Sequence, residues 1–266
     1  MIIDKGNSKF NFPFRIGCTS YVFPGDIVFN ANIVSHYFDD IELVFFQSHD
    51  ACNFPDDKTI ANLCDVAKQF SITYTVHFPI DKKAGATNES ERSGFVKQVK
   101  DLITITRNLD PFAYILHFEG VHRNALAVEK KLWYKQILKT SEEIESFVGN
   151  NRYKISVENL DYPYSWHADI VEKFGFSYCI DVGHLMLYKE DVDAVAKEIL
   201  HKTRVLHVHG VHQGKDHISL KNSNIQLVSS ILNVSISQFT GVATIETFSE
   251  RDTFESLEMM KELWLK

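Results

Sequence analysis

The stretch SYCIDVGH, residues 177–184, decides the fold. It begins as a short apolar run and ends on an aspartate, a glycine and a histidine, so the polar side chains arrive where the run stops. The same kind of run recurs along the chain, in DDIELVFF (39–46), ITYTVHF (72–78), FAYILHF (112–118), KISVEN (154–159), RVLHVHG (204–210) and VATIET (242–247). Apolar runs of this length between helical stretches indicate buried parallel strands.

Strands and helices alternate strictly in this pattern. The predicted strands are about 14–19, 40–46, 72–77, 112–117, 153–158, 176–181, 203–209 and 241–246. The first predicted helix is short and ends near 37. The other predicted helices span about 57–70, 91–109, 124–149, 167–174, 190–202 and 251–265. Asp56 or Asp57 is a plausible N-cap, and Gly149 a plausible helix end. Such alternation implies a parallel sheet with right-handed crossovers.

The ring is predicted to be closed. The first strand is not followed by a GxGxxG or GxxxxGK loop, which open nucleotide-binding sheets usually carry. Polar groups follow most of the strands, and a closed ring brings all strand ends to one mouth. The 266 residues suit one domain, because an α/β barrel takes roughly 250. We therefore expect α/β class, a single (β/α)8 TIM barrel over residues 1–266.

The composition limits the classes of partner that the protein is expected to bind. The net charge of −7 disfavours nonspecific binding to nucleic acid or anionic membrane, and no apolar run approaches the roughly 18–20 residues of a membrane helix. The cysteines are scattered without a CxxC pair, which is typical of reduced thiols in a cytoplasmic protein. The start has no evident secretion signal. We expect a cytoplasmic protein with a small-molecule substrate and no membrane partner.

The strand ends carry metal-ligand chemistry. Histidines cluster there with Glu158, Asp181 and Glu246, and buried carboxylates are costly unless they are paired or bound to metal. Imidazole with carboxylate, without thiolate, suits Zn, Mn, Fe or Co. We predict a bound divalent ion, Zn or Mn. Gly183 is expected to permit a sharp turn that returns His184 to the mouth; alternatively, His184 caps the next helix.

These segments together resemble the xylose isomerase-like TIM barrels, which include endonuclease IV and sugar-phosphate isomerases and epimerases. The resemblance runs from GCTSY (17–21) to IETF (245–248). It is carried by VHFP (76–79), HFEG (117–120), VEN (157–159), DVGH (181–184), HVHG (207–210) and IET (245–247). The resemblance implies a four-ligand core of Glu158, Asp181, His207 and Glu246. The endonuclease-like branch adds histidines that match His77, His117, His184 and His217.

One loop departs from the endonuclease branch. There an Asp and a His are separated by one residue, whereas Asp216 directly precedes His217 here and Lys215 holds the Asp position. This departure argues against Asp216 as a ligand and leaves room for fewer than three metals, so the resemblance implies one to three divalent ions. His207 and His209 share one face of their strand and only one need be a ligand, so His209 is a candidate to bind substrate phosphate or to support the ligands. Lys215 is a candidate to bind the substrate and neutralise its charge.

The N-terminal half resembles a narrower group. TSYVFPGDIVFNA (19–31) and DDIELVFFQ (39–47) are similar to the cobamide-remodelling phosphodiesterases, which cut the nucleotide loop of complete corrinoids. This resemblance implies substrate contacts for Tyr21 and Glu42. The alternatives are a rim aromatic for Tyr21 and a buried, paired carboxylate for Glu42.

Two activities fit one site. Metal-assisted phosphodiester hydrolysis would use Glu158 and Glu246 around the ions. Isomerisation or epimerisation of a sugar or sugar phosphate would use the same two residues as paired acid and base groups. A non-catalytic binding barrel is disfavoured by those two carboxylates. DNA repair is disfavoured because the chain is acidic and has no evident basic stripe interleaved with aromatics.

Overall fold

The computed structural model describes residues 9–48, 50–223 and 239–264. Its strands are β1 Arg15–Thr19, β2 Asp40–Val44, β3 Thr73–His77, β4 Tyr114–His117, β5 Ile155–Glu158, β6 Ser177–Asp181, β7 Thr203–Val208, β8 Gly210–His212, β9 Lys215–Ile218 and β10 Val242–Ile245. Its α-helices are α1 Ile27–Val34, α2 Asp57–Phe70, α3 Glu89–Thr106, α4 Ala127–Val148, α5 Ala168–Phe174, α6 Val182–Leu187, α7 Val192–Ile199 and a C-terminal helix Glu250–Trp264.

The main sheet is a closed parallel barrel. Going round the ring, the strands follow the order β1, β10, β7, β6, β5, β4, β3 and β2, and β2 pairs with β1. The chain therefore folds as the predicted (β/α)8 TIM barrel. Each barrel strand from β1 to β7 pairs with the next one along the chain, β10 pairs with β7, and the pairing of β10 with β1 closes the ring.

Local signals explain several boundaries. The side chain of Asp56 accepts a hydrogen bond from the Thr59 backbone N–H at 2.8 Å, so Asp56 is the N-cap of α2. α4 ends before Gly149, which has a φ of 54° in the left-handed region that glycine tolerates. Among the described helices, none is long and apolar enough to cross a membrane.

The segment after β6 differs from the prediction. The chain does not turn sharply at Gly183; it enters α6 directly, with Asp181 as N-cap accepting from the His184 backbone N–H at 2.7 Å. His184 therefore does not cap this helix. Glycine is required at 183 for space, since a Cβ there would lie 2.0 Å from Cε1 of His209.

The segment after β7 also differs from the prediction. Residues 210–218, expected to be a loop, form the antiparallel hairpin of β8 and β9. Its packing against α6 brings β9 close to the carboxyl ends of the barrel strands.

Candidate metal centre

Four ligand side chains meet at the carboxyl end of the barrel. Glu158, Asp181 and His207 come from β5, β6 and β7, and Glu246 follows β10. All four are buried, and their ligand atoms lie within 4.8 Å of one another. Strand register explains part of this convergence, because Asp181 and His207 are direct partners across β6 and β7. The four-ligand group is the one that the sequence resemblance implies.

Two buried atoms of this group without hydrogen-bond partners indicate whether the site fits a cation. His207 Nδ1 and Glu246 Oε2 lie 3.1 Å apart, yet within the described part of the chain neither has a hydrogen-bond partner. Glu158 Oε2 is also only 3.4 Å from His207 Nδ1. Buried polar atoms without partners are costly, so atoms that converge in this way fit a shared divalent ion.

A second group shares Glu158 with the first. His77 Nε2 and His117 Nε2 lie 3.3 and 3.0 Å from Glu158 Oε2. The other ring nitrogen of His77 contacts the Phe78 carbonyl oxygen at 2.9 Å, and such contacts fix which nitrogen faces the metal position. Strand pairing sets His117 beside Glu158. Glu158 therefore belongs to both groups of ligand-type side chains.

A third group consists of His184, His209 and His217. His184 comes from α6, and His217 comes from β9 with a φ of 50°. The His217 backbone N–H donates to His209 Nδ1 at 3.0 Å. Asp216 is also close, with Oδ2 at 4.0 Å from His184 Nε2. The hairpin therefore brings Asp216 beside this group despite the changed spacing in its sequence.

The carboxylates and imidazoles of the centre shift one another's pKa values. Burial opposes ionisation of Glu158, but His207 and His117 outweigh burial and lower its pKa well below the usual range. Burial likewise opposes protonation of His117, but Glu158 and Glu119 raise its pKa to about 10. Glu158 therefore stays ionised, and an ion that binds His117 must displace its proton.

The residues expected to contact substrate occupy different depths. Tyr21 lines a hollow beside the centre, in agreement with a rim position. Glu42 and His209 are fully buried behind the ligands: Glu42 pairs with His207 at 2.9 Å, and His209 pairs with Asp181 at 3.1 Å. Substrate binding by Glu42 or His209 stays a prediction, and the paired, buried carboxylate was the alternative expected for Glu42. Lys215 is exposed on β9 and lines none of the described cavities.

A cavity of about 390 Å³ covers the centre. Its floor includes ligands from all three groups, namely His77, His117, Glu158, His184, His217 and Glu246. Its walls include Phe46, Ile80 and Phe248, which were not predicted as site residues. The available signal was their position, because Phe46 and Phe248 directly follow ligand-bearing runs in the sequence.

Comparisons with known proteins agree with this fold. The family model described as "Xylose isomerase-like TIM barrel" matches residues 31–263. A D-tagatose 3-epimerase-like protein is similar with a TM-score of 0.78, 19% identity, and coverage of 95% of this chain and 97% of the other. Endonuclease IV from Thermus thermophilus gives a TM-score of 0.73 at 12% identity, with coverage of 94% and 99%.

The IolI protein, whose structure holds a zinc atom, gives a TM-score of 0.72 at 12% identity and coverage of 95% and 97%. A search of curated protein sequences finds no match to this chain. At these identities the solved structures show a shared fold.

Proposed function

Because the chain belongs to the xylose isomerase-like TIM barrel family, we propose that it is a divalent-metal-dependent hydrolase that cleaves a phosphodiester. The observation that carries the proposal is the shared position of Glu158, which lies within 3.4 Å of His77, His117 and His207. A carboxylate between two ligand groups is the arrangement of two-metal phosphoryl-transfer sites. Isomerisation needs only the four-ligand group, and histidines at strands three and four, as at His77 and His117 here, also occur among isomerase-like relatives.

Bound divalent ions would supply Lewis-acid stabilisation of phosphoryl oxygens and a lower pKa for the attacking water. The ligands would be the four-ligand group, with His77 and His117 holding a second ion through Glu158 and with His184 and His217 available for a third. We assign zinc or manganese, in keeping with imidazole and carboxylate donors.

Several side chains that border the cavity have roles in the proposed reaction. Glu246 faces the cavity and, with a pKa that burial raises but His207 lowers further, stays ionised to accept a proton from the attacking water. Glu158, at the end of β5, is common to the two ligand groups. His184 and His217 also border the cavity, and their Nδ1 atoms contact the carbonyl oxygens of Asn159 and Glu246 at 3.1 Å, which leaves Nε2 to hold an ion.

The substrate we propose is the nucleotide loop of a cobamide. Support comes from the similarity of residues 19–31 and 39–47 to the cobamide-remodelling phosphodiesterases. Water would attack phosphorus, the bond to the nucleoside oxygen would break, and cobinamide phosphate and a free nucleoside would result. A cytoplasmic location accompanies this proposal, and the described cysteines are all free thiols.

The test is hydrolysis by zinc-loaded or manganese-loaded protein. A complete cobamide and a model diester are offered, and products are identified by mass spectrometry. Cobinamide phosphate is expected, and the His77→Ala/His117→Ala double variant should lose hydrolysis while retaining the first ion. Absence of cleavage of both substrates by the loaded protein would exclude the hydrolase.

A sugar or sugar-phosphate isomerase or epimerase is the second candidate. It is favoured by the four-ligand group, in which Glu158 and Glu246 both border the cavity and are placed as paired acid and base groups. Incubation with a ketose panel in deuterated water tests it. Deuterium at a sugar carbon, undiminished in the His77→Ala/His117→Ala variant, would favour this candidate over hydrolysis.

A further inference from the structure

Two aromatic side chains stand exposed beside the metal centre. Phe46 is 41% exposed and Phe248 is 48% exposed, although large apolar groups usually avoid water in clusters. Both line the cavity over the ligands. The Phe248 ring lies 5.5 Å from the His217 ring, so a ligand held at the metals would reach it directly.

A second hollow continues on the other side of these rings. It has a volume of about 560 Å³, and Tyr21, Phe23 and Pro24 contribute to its walls. It shares Phe46 and Phe248 with the cavity over the metals. The two cavities therefore adjoin at Phe46 and Phe248, whose aromatic side chains border both.

Hydrogen bonds of the Asn53 side chain hold Tyr21 and Phe46 in position in the absence of a ligand. Its side-chain oxygen accepts from the Phe46 backbone N–H at 2.7 Å. Its side-chain nitrogen donates to the Tyr21 hydroxyl at 2.7 Å and to the Val44 carbonyl at 3.0 Å. The Tyr21 and Phe46 rings are 6.2 Å apart and tilted by 49°. A prepared wall loses little entropy when it orders a ligand.

The other side of the metal centre is different. A cavity of about 510 Å³ there has a mixed lining, in which Lys83, His122 and Asp161 stand beside Val121 and Leu160. It also contains His184, which borders the cavity over the metals. A substrate centred on the metals would thus meet aromatic rings on one side and charged groups on the other.

We propose that Tyr21, Phe46 and Phe248, here called the aromatic edge, bind a flat apolar ring system in one arm of the substrate. The other arm is polar and lies towards Lys83 and Asp161. This proposal rests on the proposed hydrolysis and specifies its substrate class: an asymmetric phosphodiester. Flat ring systems stack on aromatic side chains with little regard to their exact composition, and an unbranched sugar would leave the aromatic edge uncovered.

The test compares two phosphate monoesters on zinc-loaded protein by isothermal titration calorimetry. Naphthyl phosphate carries a flat apolar arm, and methyl phosphate carries the same phosphate without it. The intact protein should bind naphthyl phosphate about 10- to 100-fold more tightly, the range expected for stacking on an aromatic side chain. Phe46→Ala and Phe248→Ala should each reduce that preference about ten-fold and leave the affinity for methyl phosphate unchanged.

Phe147→Ala is the matched control, because Phe147 is also exposed but lies near the far end of α4. It should bind both probes as the intact protein does. Equal affinities for the two probes, or equal losses for both in Phe46→Ala, would overturn the aromatic edge. A preference that depends on Phe46 in a protein without diester hydrolysis would support the edge and refute the proposed function. Diester hydrolysis by a protein that shows no preference for naphthyl phosphate would support the proposed function and refute the aromatic edge.

Discussion

Glu42 Oε2 lies 2.9 Å from His207 Nε2, and neither side chain is exposed to solvent. The contact occupies the nitrogen of His207 that faces away from the other ligands. It leaves Nδ1 directed at Glu246 and Glu158. A carboxylate behind a histidine ligand fixes the ring and increases its basicity. Glu42 is therefore a positioning residue for the four-ligand group.

Replacement of Glu42 should weaken metal binding without removing a ligand. We expect Glu42→Leu to reduce affinity for the tightest zinc ion by about 10- to 100-fold, because the ring loses its partner. Glu42→Gln keeps an acceptor and should lose less. Competition with a chromogenic chelator measures both. Equal affinity in all three proteins would refute the positioning role, and urea unfolding of the metal-free forms controls for folding.

Glu158→Gln should impair two ligand groups at once. The substitution removes the charge that faces His77, His117 and His207. We expect bound metal per chain to fall by more than the loss seen in His77→Ala, and turnover to fall by at least about 100-fold, as when one charge-stabilising group is deleted. Metal analysis after dialysis gives the stoichiometry. Identical stoichiometry in the two variants would contradict a shared ligand.

Gly183→Ala should displace His209. A Cβ at 183 would lie 2.0 Å from that ring, and overpacking of this kind costs about 1–3 kcal/mol. The third ligand group should lose metal affinity as well. Gly94→Ala in α3 is the control, because its Cβ would meet Lys82 only at 3.4 Å and alanine favours a helix. Similar unfolding free energies for the two variants would contradict this explanation.

His167 should make the fold sensitive to acid. Burial against Phe118 and Tyr162 lowers the pKa of His167 to about 3, whereas an unfolded histidine has a pKa of about 6.5. Between these values the unfolded chain binds more protons. The contribution of neutral, buried His167 to the free energy of unfolding is therefore at its maximum above pH 6.5. It falls by about 1.4 kcal/mol per pH unit as the pH is lowered towards 3.

His167→Phe should remove this dependence, since both nitrogens of His167 lack hydrogen-bond partners among the described residues. Urea unfolding of metal-free protein at several pH values between 7 and 5 measures the difference between the two proteins. The phenylalanine variant should gain relative stability as the pH falls. Parallel curves would show that His167 is protonated in the folded state.

The barrel was predictable because its signals are local and repeated. Apolar runs located β3 and β5 to within about two residues, and the N-cap signal at Asp56 located α2. The hairpin of β8 and β9 was missed because KDHI carries three polar residues in succession and has no buried alternating face. No apolar period marks such a strand.

The depth of individual side chains was harder to predict than their cluster. Glu42 lies in the middle of β2, whereas Glu158 and Asp181 end their strands. That difference was visible in the sequence and explains why Glu42 lies beneath the ligands. The burial of His209 depends on the absence of a side chain at Gly183, a contact between segments that spacing along the chain does not reveal.

The closure of the ring by β10 also completes the four-residue group. Glu246 joins Glu158, Asp181 and His207 only where β10 lies between β7 and β1. An ion held by all four residues would therefore favour the closed ring over any state in which β10 has detached.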